Sequence, residues 1–115
     1  MEVLFSGSIT PDELMKAAQD FQILEARLEI SPHRLTDLTG AEEINVDFSQ
    51  MERFAAVRRS AQLKNKVKSA IIAPSPVQFG LARMFQTLNT NPMVKIQIFG
   101  DSSSARRWLA EDMTE

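Results

Sequence analysis

Residues 69–88 read SAIIAPSPVQFGLARMFQTL, and this stretch decides the predicted fold. Its first five residues continue an apolar run, predicted as a strand over 67–73, which Pro74 ends. Ser75-Pro76-Val77-Gln78 follows as a capping box with proline at the first helical position, and an apolar helix runs on to Leu88. A buried strand followed directly by a capped helix is typical of α/β proteins with a parallel sheet.

The same alternation of strand and helix extends in both directions from this stretch. The sequence predicts strands over 2–6, 34–38 and 94–99. It predicts helices that open at Thr10, at a second capping box Ser49-Gln50-Met51-Glu52, and after Asp101-Ser102; the second of these is expected to end near Gln62. The order is β-α-β-α-β-α-β-α in one domain spanning residues 1–115, with 111–115 as a frayed tail. Because crossovers are right-handed, we expect a mostly parallel sheet of four to five strands with helices packed on both faces.

Composition excludes several classes of protein. A chain of 115 residues without cysteine has room for one core and holds no disulfide or thiolate metal site. No apolar run is as long as a membrane span, and the first residues do not resemble a secretion signal. We therefore expect a cytoplasmic protein without membrane insertion.

Charge is distributed unevenly along the chain. Residues 1–52 carry three Lys or Arg against eleven Asp or Glu, whereas residues 53–115 carry ten against four. Either the fold has two oppositely charged surfaces that meet a partner or a second copy, or a wound sheet interleaves the halves and neutralises them. The basic cluster that includes Arg58 and Arg59 is too sparse and too poor in aromatic neighbours to favour nucleic acid. We expect both arginines to face outward on a solvated helix end, which makes them candidate interaction residues.

Several segments together resemble the SpoIIAA-like bacterial domains, which share the STAS fold of anti-sigma-factor antagonists, and in particular small stand-alone members of unknown function. The segments that carry the resemblance are Ser69-Ala70-Ile71-Ile72-Ala73-Pro74, Phe79-Gly80-Leu81-Ala82-Arg83-Met84-Phe85, Ile98-Phe99-Gly100-Asp101 with Trp108-Leu109, Leu35-Thr36-Asp37-Leu38-Thr39-Gly40 and Gly7-Ser8-Ile9-Thr10. The resemblance implies a non-catalytic regulatory or protein-interaction module that acts through protein contacts, with a homodimer as one form. The family often has a further strand before the position of Glu2, so a second copy would be one way to cover this sheet edge.

The resemblance also implies a phosphorylation switch at a serine that starts a helix. By chain order this position falls at Asp47-Phe48-Ser49, although Gln50 follows where the family has a small serine-glycine run. Ser49 is thus a candidate phosphoacceptor, because added charge would meet a favourable helix dipole. The alternative is that Ser49 is a plain N-cap.

Catalytic motifs are absent from the sequence. It contains no phosphate-binding loop, no dinucleotide fingerprint and no nucleophile elbow. His33 is the only histidine, and its place between Pro32 and Arg34 is typical of a surface residue at a strand start. We therefore expect no enzyme activity, no cofactor and no metal site.

Two features are compatible with ligand binding as an alternative. Ser75 and Gln78 open a helix at the carboxyl end of a buried strand, where free amides bind anions in open α/β sheets; alternatively, these two side chains satisfy the amides themselves. Met51, Phe79, Met84 and Phe85 either line an apolar pocket, as in the CRAL-TRIO lipid-transfer domains, or form ordinary core. A carrier or sensor of an anionic or lipid ligand, binding at the carboxyl ends of the strands, is therefore the alternative function.

Arg83 interrupts an otherwise apolar stretch and is a candidate interaction residue. It pairs either with a carboxylate such as Asp37 or with Gln86 on an exposed flank. Contact with another subunit is the form of interaction that this position favours.

Overall fold

The computed structural model describes residues 1–111, in which four strands alternate with four helices. These elements are β1 (Glu2–Ile9), α1 (Pro11–Arg27), β2 (Arg34–Ile44), α2 (Phe48–Arg59), β3 (Val67–Ile72), α3 (Pro76–Leu88), β4 (Val94–Phe99) and α4 (Ser102–Ala110). Every pairing is parallel, and the strands lie in the order β1-β2-β3-β4. The predicted β-α-β-α-β-α-β-α architecture is confirmed, with four strands. The predicted tail lies outside the described residues, apart from Glu111.

The two faces of the sheet are covered unequally. Because each strand lies beside the one before it, crossovers of one hand place α1, α2 and α3 on the same face. Leu14, Met51 and Leu81, one from each of these helices, share the larger buried cluster. Ala105 and Trp108 of α4 form a smaller cluster with β2 and β3 on the opposite face. The central strand β3 is buried along its whole length, as its apolar run predicts.

Both N-terminal strands are longer than predicted. Ser6-Gly7-Ser8 was expected to end β1, but the strand continues through it to Ile9. Gly7 takes a positive φ of 69° where the register against β2 shifts, so a bulge accommodates the turn-like residues. β2 likewise continues past Gly40 to Ile44.

The predicted start of α2 was wrong by two residues. Asp47 is the N-cap, so Ser49 is the second residue of the helix, and the helix ends at Arg59 instead of near 62. The reciprocal bonds of the capping box join Asp47 and Gln50. A carboxylate accepts the first-turn amide more strongly than a hydroxyl does, which favours this start.

Gly80 lies inside α3. A glycine inside a helix predicts close approach to the sheet, but this prediction is wrong for Gly80, which is exposed and where a built Cβ meets nothing within 4 Å. The backbone of α3 is therefore not held near the sheet by this glycine.

We expect Gly80→Ala to stabilise the protein by about 1 kcal/mol, because alanine loses less backbone entropy in a helix and the site is open. The measurement is the free energy of unfolding in urea. Gly7→Ala is the contrasting variant, since the positive φ of Gly7 strains any side chain and should lower stability. A loss of stability in Gly80→Ala would contradict the open environment of this residue.

Candidate functional site

Ser49 lies on the exposed first turn of α2 and does not cap it. Asp47 Oδ1 accepts the Gln50 N–H at 2.8 Å, and Gln50 Oε1 accepts the Asp47 N–H at 3.0 Å. The plain N-cap interpretation of Ser49 is therefore wrong. Its role as a phosphoacceptor stays a prediction, at a position close to the charge of Asp47.

Ser75 and Gln78 form the predicted capping box of α3. Ser75 Oγ accepts the Gln78 N–H and Gln78 Oε1 accepts the Ser75 N–H, both at 3.2 Å. The Gln78 amide group also donates to the carbonyl of Ala41 at 2.9 Å, which ties α3 to β2. Both backbone amides therefore have protein partners, and anion binding there would have to displace them.

The three candidate interaction arginines have different surroundings. Arg58 was expected to face outward, but it is buried, because its guanidinium pairs with Glu25. Arg59 is exposed and donates to the carbonyl of Leu88 at 3.3 Å. Arg83 is exposed and donates to Gln86 Oε1 at 2.6 Å, so the flanking position is confirmed.

Glu25, Arg34 and Arg58 form a buried ion cluster between α1, β2 and α2. Arg34 Nε and Nη2 donate to Glu25 Oε2 at 3.1 and 2.8 Å, and Arg58 Nη2 donates to Glu25 Oε1 at 3.0 Å. The Arg58 guanidinium also lies 5.5 Å from the centre of the Phe21 ring. Burial, reinforced by the charge of Arg34, lowers the pKa of Arg58, while Glu25 opposes this shift. Two cations thus share one carboxylate.

A core cavity of about 70 Å³ lies between the sheet and the three helices of the larger cluster. Arg34 and Arg58 are part of its wall, and most other lining side chains are apolar. Of the residues predicted to line a pocket, Met51 and Phe85 do so, whereas Met84 packs against the core and Phe79 is half exposed. Arg34, which lines the charged end of this cavity, is the first residue of β2. The charged end therefore lies toward the amino ends of the strands.

The opposite edge of the sheet, where the strands end, carries exposed apolar side chains. Phe48 is 58% exposed, Val77 64% and Phe79 50%, and all three lie in the first turns of α2 and α3. Exposed acidic residues lie at this same edge, either after β1 (Asp12 and Glu13), in the last residues of β2 (Glu42 and Glu43) or after β2 (Asp47). We call these eight residues the carboxyl-edge surface.

The uneven charge along the sequence places acidic and basic side chains at opposite ends of the strands. Several exposed cations lie at the amino edge, at helix ends and before or at strand starts: Arg27, Arg59, Lys64, Lys95 and Arg107. Lys16 and Arg53, in the second turns of α1 and α2, are exposed cations nearer the carboxyl edge. Glu2, Glu29 and Glu111 are the acidic exceptions there, and Glu2 pairs with Arg106 at 2.6 Å. Of the two interpretations of the charge pattern, oppositely charged surfaces describe the fold better.

Lys68 and His33 have structural partners. The buried Lys68 ammonium donates to the carbonyls of Trp108 and Glu111 at 2.8 and 2.6 Å, which secures the end of α4. His33 Nδ1 accepts the backbone N–H of Lys68 at 2.9 Å, so this histidine is less of a free surface residue than predicted. Partial burial and the charge of Lys68 lower the pKa of His33, which favours the neutral ring that this bond needs.

No protein-family model, curated protein or solved structure matches the chain. The resemblance to SpoIIAA-like domains therefore stays a prediction based on the segments quoted above.

Among residues 1–111, no group of three or more His, Asp or Glu is placed to hold a metal ion. Within the same residues, no helix combines the length and the apolar character that crossing a membrane requires.

Proposed function

We propose that this protein is a non-catalytic regulatory module whose carboxyl-edge surface docks a basic, amphipathic segment of a protein partner. The observation that supports this most directly is the exposure of Phe48, Val77 and Phe79 among acidic side chains. Exposed apolar groups rimmed by polar residues are typical of protein-interaction sites.

The capping of the helices favours a protein over a small anion at this edge. Open α/β sheets commonly bind ligands at the carboxyl ends of their strands, where free helix amides are available. Here Thr10, Asp47, Ser75 and Asp101 each accept an amide from their own helix. The acidic side chains nearby would also repel an anion, whereas they attract a cationic segment and speed its association.

A second copy of the chain is the competing occupant, because its basic amino edge is complementary in charge to this surface. Such a head-to-tail contact would join unlike surfaces and would not close as a dimer about a two-fold axis. Light scattering distinguishes the two: a mass that stays at one chain across concentration supports a separate partner, whereas assembly lost in Phe79→Ser identifies a second copy.

We expect Phe79→Ser to weaken binding of a basic amphipathic peptide at least about tenfold, since a central aromatic anchor commonly accounts for 1.4 kcal/mol or more. The probe is a fluorescein-labelled helical peptide of leucine and lysine, and the measurement is anisotropy. An equally long leucine and glutamate peptide tests the sign of the charge.

Ile30→Ser is the matched control, because Ile30 is 74% exposed but lies outside the carboxyl-edge surface, before β2. It should bind the basic peptide as the wild type does. Equal losses in both variants, or equal binding of the acidic peptide, would show that any exposed apolar residue suffices and would contradict the proposed surface.

The core cavity favours a second candidate function, a carrier or sensor of a small ligand. Its position between the sheet and α1, α2 and α3 differs from the strand ends that the sequence favoured for such a ligand. An internal site of this kind is compatible with a docking surface elsewhere, since the two use different residues.

A further inference from the structure

We infer that the core cavity binds a short-chain monocarboxylate, with its carboxylate on the Arg58 guanidinium and its hydrocarbon tail among the apolar lining residues. This inference rests on the cavity and the buried ion cluster, and it is independent of the proposed docking surface.

The ion cluster has an excess of one positive charge. Glu25 and Arg34 are each 6% exposed and Arg58 is 3% exposed, so solvent does little to screen them. A buried charge without a counterion is strongly unfavourable. One carboxylate neutralises one of the two arginines, and a bound monoanion would neutralise the other.

Arg58 also has unused hydrogen-bonding capacity. Its Nη2 donates to Glu25, but its buried Nη1 has no partner within the part of the chain that the structure describes. A planar guanidinium binds carboxylates with short, charge-assisted bonds. Arg58 is part of the cavity wall, so the cavity is where we place the acceptor for this guanidinium.

The rest of the wall defines the remainder of the ligand. Phe5, Leu38, Met51 and Phe54 are among the apolar residues that line it, and Thr36 and Ser69 add hydroxyl groups. A water-sized group needs about 10–15 Å³ by this measure, so about 70 Å³ holds roughly five to seven such groups. A carboxylate with a tail of two to four carbons fits, whereas a long-chain lipid does not.

The test is thermal unfolding of the full chain with sodium acetate, propionate, butyrate, valerate or octanoate at constant ionic strength. Ligand that binds only the folded state raises the melting temperature with mass-action dependence on concentration. We expect a saturable rise of several degrees, largest for the three- to five-carbon acids. 1-Butanol and sodium chloride, the uncharged and the simple-anion comparisons, should give much smaller rises.

Arg58→Met removes the guanidinium and leaves Glu25 and Arg34 as a neutral pair, so the butyrate effect should disappear. Arg59→Met is the matched control, because Arg59 is the exposed neighbour in the sequence, and it should respond as the wild type does. Should Arg58→Met fail to fold, Ala82→Leu fills the cavity from α3 without changing the ion cluster, and it should also abolish the response.

Any of the following results would overturn the inference: no rise with any acid, an equal rise with 1-butanol, or an undiminished butyrate response in Ala82→Leu or in a folded Arg58→Met. A rise that continues to grow through octanoate would also do so, since the cavity cannot hold that chain. Phe79→Ser should respond to butyrate as the wild type does, so failure of the docking surface and failure of the cavity site are read separately.

Discussion

Glu25→Ala is expected to destabilise the protein by about 3–5 kcal/mol, the typical effect of breaking a buried ion pair from one side. Glu25 accepts three hydrogen bonds from Arg34 and Arg58. Its removal leaves both guanidinium groups buried without a carboxylate, and the repulsion between them is then uncompensated. The measurement is the free energy of unfolding from urea denaturation.

Two comparisons separate this effect from simple loss of a charge. Glu29→Ala removes an exposed carboxylate just beyond α1 and should change stability by less than about 0.5 kcal/mol. The triple variant Glu25→Leu, Arg34→Met, Arg58→Met replaces the whole cluster by apolar groups and should recover most of the loss. A loss below about 1 kcal/mol in Glu25→Ala would contradict the burial of the cluster.

Trp108→Ala is expected to destabilise the protein by about 3–5 kcal/mol, as is typical for truncating a buried aromatic residue. Within residues 1–111, α4 is the one helix on its face of the sheet, and Trp108 is 9% exposed there. The indole ring lies 5.6 Å from the Phe99 ring and 5.2 Å from the Lys68 ammonium. Without it, α4 keeps only the small Ala105 and the partly buried Leu109 in this apolar cluster.

Arg107→Ala is the control for this variant, because Arg107 is the exposed preceding residue of α4. It should be nearly neutral in urea denaturation, whereas Trp108→Ala should lower the unfolding midpoint strongly. Amide hydrogen exchange adds a local readout, since detachment of α4 would expose the face of β3 that carries Ala70 and Ile72. Unchanged protection of that face in Trp108→Ala would contradict the anchoring role.

Local rules predicted the order of elements well. Strand runs such as 67–73 and caps such as Thr10 and Ser75 depend on residues close together in the sequence, so a local pattern determines them. The start of α2 was harder, because Asp47-Phe48-Ser49-Gln50 and Ser49-Gln50-Met51-Glu52 both match a capping box. Two overlapping boxes cannot be separated by pattern alone.

The buried ion cluster was missed because charged residues are usually exposed and its partners are distant in sequence. Glu25 and Arg58 are 33 residues apart. A signal was nevertheless present: Glu25 follows Phe21 by four residues and so continues the apolar stripe of α1, and Arg58 follows Phe54 in the same way. A charge on the core-facing stripe of each of two adjacent helices indicates a buried pair.

The proposed docking surface could be predicted only in part from the sequence. The excess of acidic residues in the N-terminal half was evident in the sequence. Their position at one edge depends on the parallel sheet, which brings the ends of β1 and β2 together. Phe79 was interpreted as core or pocket, whereas its position in the first turn of α3 leaves it half exposed. Exposure of this kind follows from packing between elements and is not encoded locally.

Titration of ¹⁵N-labelled protein with the leucine and lysine peptide, followed by amide chemical shifts, tests the central proposal most directly. The proposal predicts changes confined to the end of β2 and the first turns of α1, α2 and α3, with Phe79 among the most affected, and reduced at high salt. Changes centred on the amino edge, or the same changes with the leucine and glutamate peptide, would contradict the carboxyl-edge surface as the docking site.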